Sequence, residues 1–236
     1  MCGIAGFVDV RRLSGPEELN ACVADLAAAL AHRGPDGAGV FSQPDVGLAF
    51  GFRRLAIQDL SEAGDQPMQS VDGRYVIVFN GEIYNFQEIR AALDTSQPER
   101  WRGGSDTEVL LAAISRYGLA GTLPRLDGMF AFALWDRQTR ELTLARDRVG
   151  EKPLYYGWSG PVFLFGSELK ALTRHPDWRG GIDQDAVSAF LRYSYVPAAH
   201  SIYKGVSKLK SGHCLTLNLE TFQPGDSPAP TPYWDA

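Results

Sequence analysis

Cysteine is scarce in this chain, with Cys2, Cys22 and Cys214 only. An odd count without any C-x-x-C pair argues against a disulfide framework or a thiolate zinc site and leaves at least one thiol free. Histidine is equally sparse, and His32, His175, His200 and His213 do not recur at zinc-motif spacing, so none is read as a metal ligand. No run of Lys or Arg is dense enough for nucleic acid or an anionic membrane, and the net charge is −5 with a pI near 5.4. The expected partner is therefore a small molecule or another protein. No stretch approaches the ~18 apolar residues of a membrane span, and no apolar segment follows a basic start, so the expected location is cytoplasmic.

What is present suits a globular protein. Its 236 residues, 44% hydrophobic and 22% charged, suffice for one sizeable core or two small ones. The run from Gly3 to Val10 is short and apolar and predicts a buried strand. Ser14-Gly15-Pro16-Glu17 carries a capping-box pattern, and Leu19, Cys22, Val23, Leu26 and Leu30 follow at helical spacing, which makes Cys22 core filling. His32-Arg33-Gly34-Pro35-Asp36-Gly37 ends that helix, either as a simple stop or with Arg33 and His32 lining a site. Leu48, Phe50 and Phe52 alternate toward Arg53-Arg54. One of these arginines can capture a carboxylate, or both can lie exposed on a sheet face.

The β-rich run from Arg74 to Phe79 ends in Asn80-Gly81, a strong tight-turn signal. The same pair can also supply two donors to one oxyanion. Asn85 with Glu88, and Ser105 with Glu108, predict two capped helices. Asp106 sits in the first turn of the second, where it either complements the helix dipole or holds a ligand ammonium. Runs at 129–135 and 141–145, then 154–158 and 162–165, predict hairpins, and hence an antiparallel α+β fold rather than βαβ crossovers. A short helix is expected at 166–172, a longer one at 183–193, and a late strand at 215–219. The Pro-rich segment from Gln223 reads as a linker.

The chain's beginning, Met1-Cys2-Gly3, has two readings. Cys2 is an ordinary residue, or, once Met1 is removed, it owns both a thiol nucleophile and an α-amine able to act as its base. Cysteine is small enough at the second position for that removal to be expected.

Cys2-Gly3-Ile4-Ala5-Gly6, His32-Arg33-Gly34-Pro35-Asp36-Gly37, Arg54-Leu55-Ala56-Ile57, Asn80-Gly81-Glu82-Ile83-Tyr84-Asn85, Gly104-Ser105-Asp106, Leu126-Asp127-Gly128-Met129-Phe130-Ala131-Phe132 and Lys152-Pro153-Leu154-Tyr155-Tyr156 occur in this order. Together they resemble the class II glutamine amidotransferase domain of glutamine-hydrolysing asparagine synthetases, over essentially the whole chain. The resemblance implies an N-terminal-nucleophile hydrolase fold, a four-layer αββα sandwich with two antiparallel sheets. It implies that Cys2 is the nucleophile with its α-amine as base, and that Asn80 and Gly81 form the oxyanion hole. It further implies that Arg54 pairs with the glutamine α-carboxylate, that Asp106 holds the α-ammonium, and that Glu82 is an additional substrate contact.

The implied reaction is hydrolysis of glutamine through a Cys2 thioester, with the ammonia amidating a carboxylate, aspartate in the asparagine-forming case. Another reading of the same fold is a catalytically silent module that senses glutamine or docks a synthetase. No cofactor or metal is expected for this domain. ATP and magnesium belong to the synthetase domain of such enzymes, whose Ser-Gly-Gly-x-Asp-Ser loop this sequence lacks. The expected organisation is a glutaminase domain over 1–222 and a linker over 223–236 toward that domain. The chain is thus expected to be a piece of a longer enzyme, or else a stand-alone glutaminase. Expected partners are glutamine and a synthetase domain or subunit, with homodimer formation left open.

Overall fold

A computed structural model describes residues 1–96 and 101–235. In chain order the strands and helices are β1 Gly3–Asp9, α1 Pro16–Ala28, β2 Gly37–Gln43, β3 Leu48–Arg54, β4 Met68–Gln69, β5 Tyr75–Ile83, α2 Phe86–Ser96 and α3 Asp106–Thr122. There follow β6 Gly128–Asp136, β7 Glu141–Arg146, β8 Tyr155–Ser159, β9 Val162–Gly166, α4 Leu169–Leu172, α5 Gln184–Tyr193, β10 Val206–Lys208, β11 His213–Asn218 and β12 Thr231–Pro232. The strands form two sheets, ordered β10-β8-β9-β1-β3-β2 and β12-β11-β7-β6-β5-β4. Every pairing is antiparallel, as the hairpin spacing predicts.

Side chains alternate across a strand, so each sheet has two faces, and here both are covered. Ile4 and Val8 of β1, Leu48, Phe50 and Phe52 of β3, Val76 and Val78 of β5 and Trp135 of β6 meet in one core between the sheets. The intervening Ala5, Phe7 and Ala49 pack instead with Leu19, Val23 and Leu26 of α1. Ile77, Phe79 and Ile83 pack with Ile89 of α2 and with Val109, Leu110 and Ile114 of α3. The result is helix, sheet, sheet, helix. Burial on both faces explains why β1, β3 and β5 read as nearly continuous apolar runs rather than polar and apolar in turn.

The same period of two sets up the site. Cys2, one residue before β1, shares the parity of Ile4; Arg54 shares that of Phe52; Asn80 and Glu82 share that of Val78. All four therefore project from the strands on the inter-sheet side, at one end of the sandwich, while Arg53 turns away to donate to the Gly34 carbonyl at 3.0 Å.

Several local readings are corrected. Asn80-Gly81 is no turn: β5 runs straight through it and pairs Asn80 with Ala131 and Gly81 with Phe130 of β6. Glycine is needed at 81 because a Cβ there would lie 2.3 Å from the Met129 carbonyl oxygen. The α1 N-cap is Gly15, one residue later than the sequence pattern suggests, and its N–H donates to Glu18 at 3.3 Å. Asn85 does not cap α2 with its side chain, which bridges to the Arg125 carbonyl and the Asp127 N–H instead. Helix α3 runs past Tyr117 to Thr122, kinked where Gly118 takes φ +69°.

The Pro-rich tail also carries ordered contacts. Phe222 stacks on Trp158, the Trp158 indole donates to the Asp226 carbonyl at 2.7 Å, and β12 pairs with β11.

The turn after β7 is organised by a single buried carboxylate. Asp147 is fully buried and accepts from the backbone N–H groups of Phe130, Val149, Gly150, Glu151 and Lys152 at 2.5–3.2 Å. Arg146 completes the turn by donating to the carbonyls of Gly150, Lys152 and Leu209. Asp147→Ala leaves those buried donors without acceptors, and each costs ~1–3 kcal/mol. We expect urea denaturation to show a loss of at least about 3 kcal/mol for Asp147→Ala, with Asp147→Asn losing less.

Candidate active site

The Cys2 thiol lies in a pocket between the open ends of the sheets, lined by Cys2, Arg54, Asn80, Gly81, Glu82, Asp106 and Lys152 among others. Its Sγ accepts from the Leu55 N–H at 3.4 Å and donates to the Leu55 carbonyl at 3.6 Å. Burial pushes the thiol upward from its ordinary range, against the Leu55 hydrogen bond, the chain's terminal amine and Arg54. The Cys2 carbonyl accepts from Arg33 Nε at 2.9 Å, and Arg33 is in turn held by Glu168 at 2.9 Å. The His-Arg-Gly-Pro turn therefore does more than end a helix, since it fixes the backbone of the thiol-bearing residue. Next to Cys2, the Ile4 N–H donates to Ser167 Oγ at 3.1 Å, so consecutive residues after β9 secure the start of β1 from two sides.

Strand β4 is only two residues long and pairs with Val76 and Ile77, so among the described residues the edge of β5 beyond them has no strand partner. Phe79 donates along that edge to Gln66 Oε1 at 2.6 Å, and Ile83 to Asp106 Oδ2 at 2.9 Å. The N–H of Gly81 points the same way, because its neighbour Phe130 directs both of its backbone groups to Asp147 on the opposite side. Immediately beside it, Asn80 is 1% exposed, and its Nδ2 has no hydrogen-bond partner among the described residues. Buried amide donors are ordinarily satisfied, so a donor left open in a pocket next to a thiol is fitted to an acceptor brought by a ligand.

Asp106 opens α3 behind the Ser105 N-cap, whose Oγ accepts from the Glu108 N–H at 3.3 Å. A helix N-terminus favours a carboxylate by ~0.3–1 kcal/mol, whereas burial can shift a carboxyl by several pKa units. Burial dominates here: the Asp106 carboxyl is raised to about 6, with Glu82 adding to the rise and the Ile83 and Thr107 N–H groups opposing it. Gln58 links the two acids, donating to Glu82 at 3.2 Å and accepting from the Asp106 N–H at 3.4 Å.

Arg54 is mostly buried and bonds Asp65 at 2.6 Å and the carbonyls of Asp59 and Ser61 at 2.5 and 3.0 Å. Its guanidinium thus closes the 59–65 loop over the pocket. The structure brings all six sequence-predicted residues to one pocket. Sequence reasoning assigned no role to Gln58, Gln66, Glu168 or Lys152. Of these, only Lys152 lay in a quoted motif, and the others act across long sequence separations. Among the described residues no cluster of three or more His, Cys, Asp or Glu side chains is arranged to hold a metal ion, and no helix is long and apolar enough to cross a membrane.

Comparison with known proteins agrees with this geometry. Residues 1–234 match the family model for the glutamine amidotransferase domain. The chain is 37% identical over 224 residues to asparagine synthetase [glutamine-hydrolyzing] 3 of Bacillus subtilis, covering 93% of this chain and 35% of that protein. It is 34% identical to the putative asparagine synthetase [glutamine-hydrolyzing] 2 of Methanocaldococcus jannaschii, covering 93% and 44%. The chain thus spans less than half the length of these curated relatives. The solved glutamine phosphoribosylpyrophosphate amidotransferase of B. subtilis superposes with a TM-score of 0.69 at 21% identity, over 99% of this chain and 49% of that one, which shows a shared fold. The αββα sandwich is thus the amidotransferase architecture, and the chain belongs to the glutamine amidotransferase domain family.

Proposed function

We propose that this chain hydrolyses glutamine to glutamate and ammonia with Cys2 as nucleophile, as the glutaminase half of an asparagine-synthetase-like enzyme. The observation that carries the reading is the pairing of a partly buried thiol with the open donor Asn80 Nδ2, beside the Gly81 N–H, at one end of the inter-sheet space. Arg54 receives the α-carboxylate, Asp106 the α-ammonium, and Glu82 contacts the same end of the amino acid. These groups hold the side-chain amide over Cys2.

The α-amine of Cys2, free once Met1 is removed, takes the thiol proton. The sulfur attacks the amide carbon, and the charge developing on its oxygen meets Asn80 and Gly81. Collapse of the tetrahedral intermediate breaks the carbon–nitrogen bond, with the proton passing to the departing ammonia. Water then adds to the thioester, the amine again acting as base, and glutamate leaves with the thiol restored. The names and greater length of the relatives support an ammonia acceptor in a synthetase portion, aspartate in the asparagine-forming case, and ATP and magnesium serve the amidation there rather than the hydrolysis here.

With Met1 removal verified by mass spectrometry, glutamate release from glutamine should be abolished in Cys2→Ala and lowered about 10²–10³-fold in Asn80→Ala. Wild-type protein that binds glutamine without releasing glutamate refutes the reading.

Asp106 yields a second expectation. Its carboxyl titrates at about 6 in the fold against about 3.9 for an unperturbed aspartate. Because the folded value is the higher one, ionised Asp106 subtracts stability. The cost is absent below about pH 4, grows as pH rises toward 6, and is complete above it. Asp106→Asn should therefore stabilise the protein at pH 7–8 by up to about 3 kcal/mol and have little effect near pH 4, read by thermal unfolding. The same substitution should remove glutamine binding. In the wild type, KM for glutamine should rise roughly tenfold per unit as pH falls below 6, as Asp106 takes up the proton that displaces its ammonium partner.

A further inference from the structure

Lys152 has no part in the mechanism above, yet it is 6% exposed and lines the pocket. Its backbone is pinned on both sides: the Lys152 N–H donates to Asp147 at 3.0 Å, and the Lys152 carbonyl accepts from Arg146 at 2.7 Å. The side chain is thus delivered by one of the most constrained turns in the molecule. Its Nζ meets the Met1 sulfur at 3.4 Å, and the Arg33 guanidinium approaches the same sulfur at 3.9 Å. With Met1 in place this side chain faces a thioether rather than a carboxylate, and a buried cation without an ion-pair partner costs folding free energy.

The other cations near the N-terminus are engaged by carboxylates. Arg33, from the turn after α1, is ion-paired with Glu168 after β9, and His32 and Lys170 converge on that same carboxylate. Arg54, from β3, is ion-paired with Asp65. Glu82 of β5 and Asp106 of α3 contribute two acids to the pocket. Lys152 has no carboxylate oxygen within 4.0 Å among the described residues, so no ion pair offsets its field. It stands on the Met1 side of Cys2, whereas Arg54 acts on the thiol.

Resting on the glutaminase reading, we propose that Lys152 keeps the α-amine of Cys2 uncharged at neutral pH and so fit to act as the base. A cation beside an amine disfavours its protonated form, whereas Asp106 and Glu82 favour it. Without Lys152 the two acids would hold the amine as an ammonium, unable to take the thiol proton. Lys152 is in this sense a positioning residue for charge: it touches no reacting atom and acts through the amine.

The test uses protein whose Met1 is shown to be absent, as wild type, Lys152→Met and Lys152→Arg. With the thiol reversibly blocked as its methyl disulfide, competitive acetylation of the Cys2 amine is followed against pH by mass spectrometry of the N-terminal peptide, which needs no turnover. The wild-type amine should titrate below its ordinary range of about 7.7–8.0. In Lys152→Met it should move up by about one unit, and Lys152→Arg should restore it. The ascending limb of kcat/KM for glutamine should move with it. Equal amine titration in wild type and Lys152→Met overturns the proposal, as does a kcat/KM loss of the same factor at every pH, which is the mark of a merely structural lysine. Failure of Lys152→Arg to restore the titration, in protein with unchanged thermal unfolding, also overturns it. Wild-type protein that shows the amine shift but releases no glutamate sinks the glutaminase reading and leaves the electrostatic one standing.

Discussion

The site depends on an incomplete sheet edge. A strand at an edge must place its outward N–H groups somewhere, and β5 is bordered on that side only by the two residues of β4. Gln66 and Asp106 take the donors of Phe79 and Ile83, which fixes one side chain on each flank of Gly81. The Gly81 N–H lies between them on the same edge. In the proposed reaction the hydrogen-bonding requirement of an ordinary strand thus supplies one oxyanion donor, and the parity of the next residue back puts Asn80 on the inter-sheet side with Cys2. Nothing has to be added to the fold to make a two-donor site. The edge has only to stay uncovered, and the missing Cβ at 81 lets β5 lie close against β6 while it does so.

Charge placement follows a similar economy. The Arg33 guanidinium is committed in two directions, to Glu168 and to the Cys2 carbonyl, so its role is geometric more than electrostatic. Arg54 ties the loop that closes over the pocket, and a bound α-carboxylate would compete with Asp65 and the loop carbonyls for the same fork. Ligand binding and loop position are coupled through that single side chain. Asp147 links the chemistry to the frame, since its carboxylate bonds β6 opposite Gly81 and also the turn that carries Lys152.

The fold was largely legible in the sequence because both of its periodicities are undiluted. The alternating large residues of β3, the helical spacing in α1 and the hairpin signals around 136–140 each correspond to an element found close to its expected bounds. The site was legible only in part. Asn80-Gly81 illustrates the reason: as a local signal the pair specifies a turn, and only the chain around it shows that strand β5 continues while glycine serves a close approach to β6. Asn85 misled for a related reason, since a capping side chain is recognisable by spacing but can be drawn away by a tertiary partner, here residues 125–127. Glu168 and Gln66 carried no sequence signal because their roles exist only across contacts between distant strands.

The pocket's polar groups share a thermodynamic character that bears on why glutamine fits it. Asp106 is buried enough to resist ionisation, and among the described residues Asn80 has an unfilled donor and Lys152 is a buried cation without an ion-pair partner. Each is a cost to the folded protein on its own. An amino acid with an ammonium, a carboxylate and a side-chain carbonyl offsets the first two directly. In the proposed complex the ammonium gives Asp106 its counter-charge, and the carbonyl oxygen takes the Asn80 donor more strongly as it becomes an oxyanion. The second of these gains grows along the reaction coordinate, so the strain held at Asn80 is relieved most in the transition state, which is the condition for a site to accelerate a reaction rather than merely bind its substrate. Lys152 stands apart, because it has no assigned contact with the substrate and its proposed role is to act on the residue that attacks.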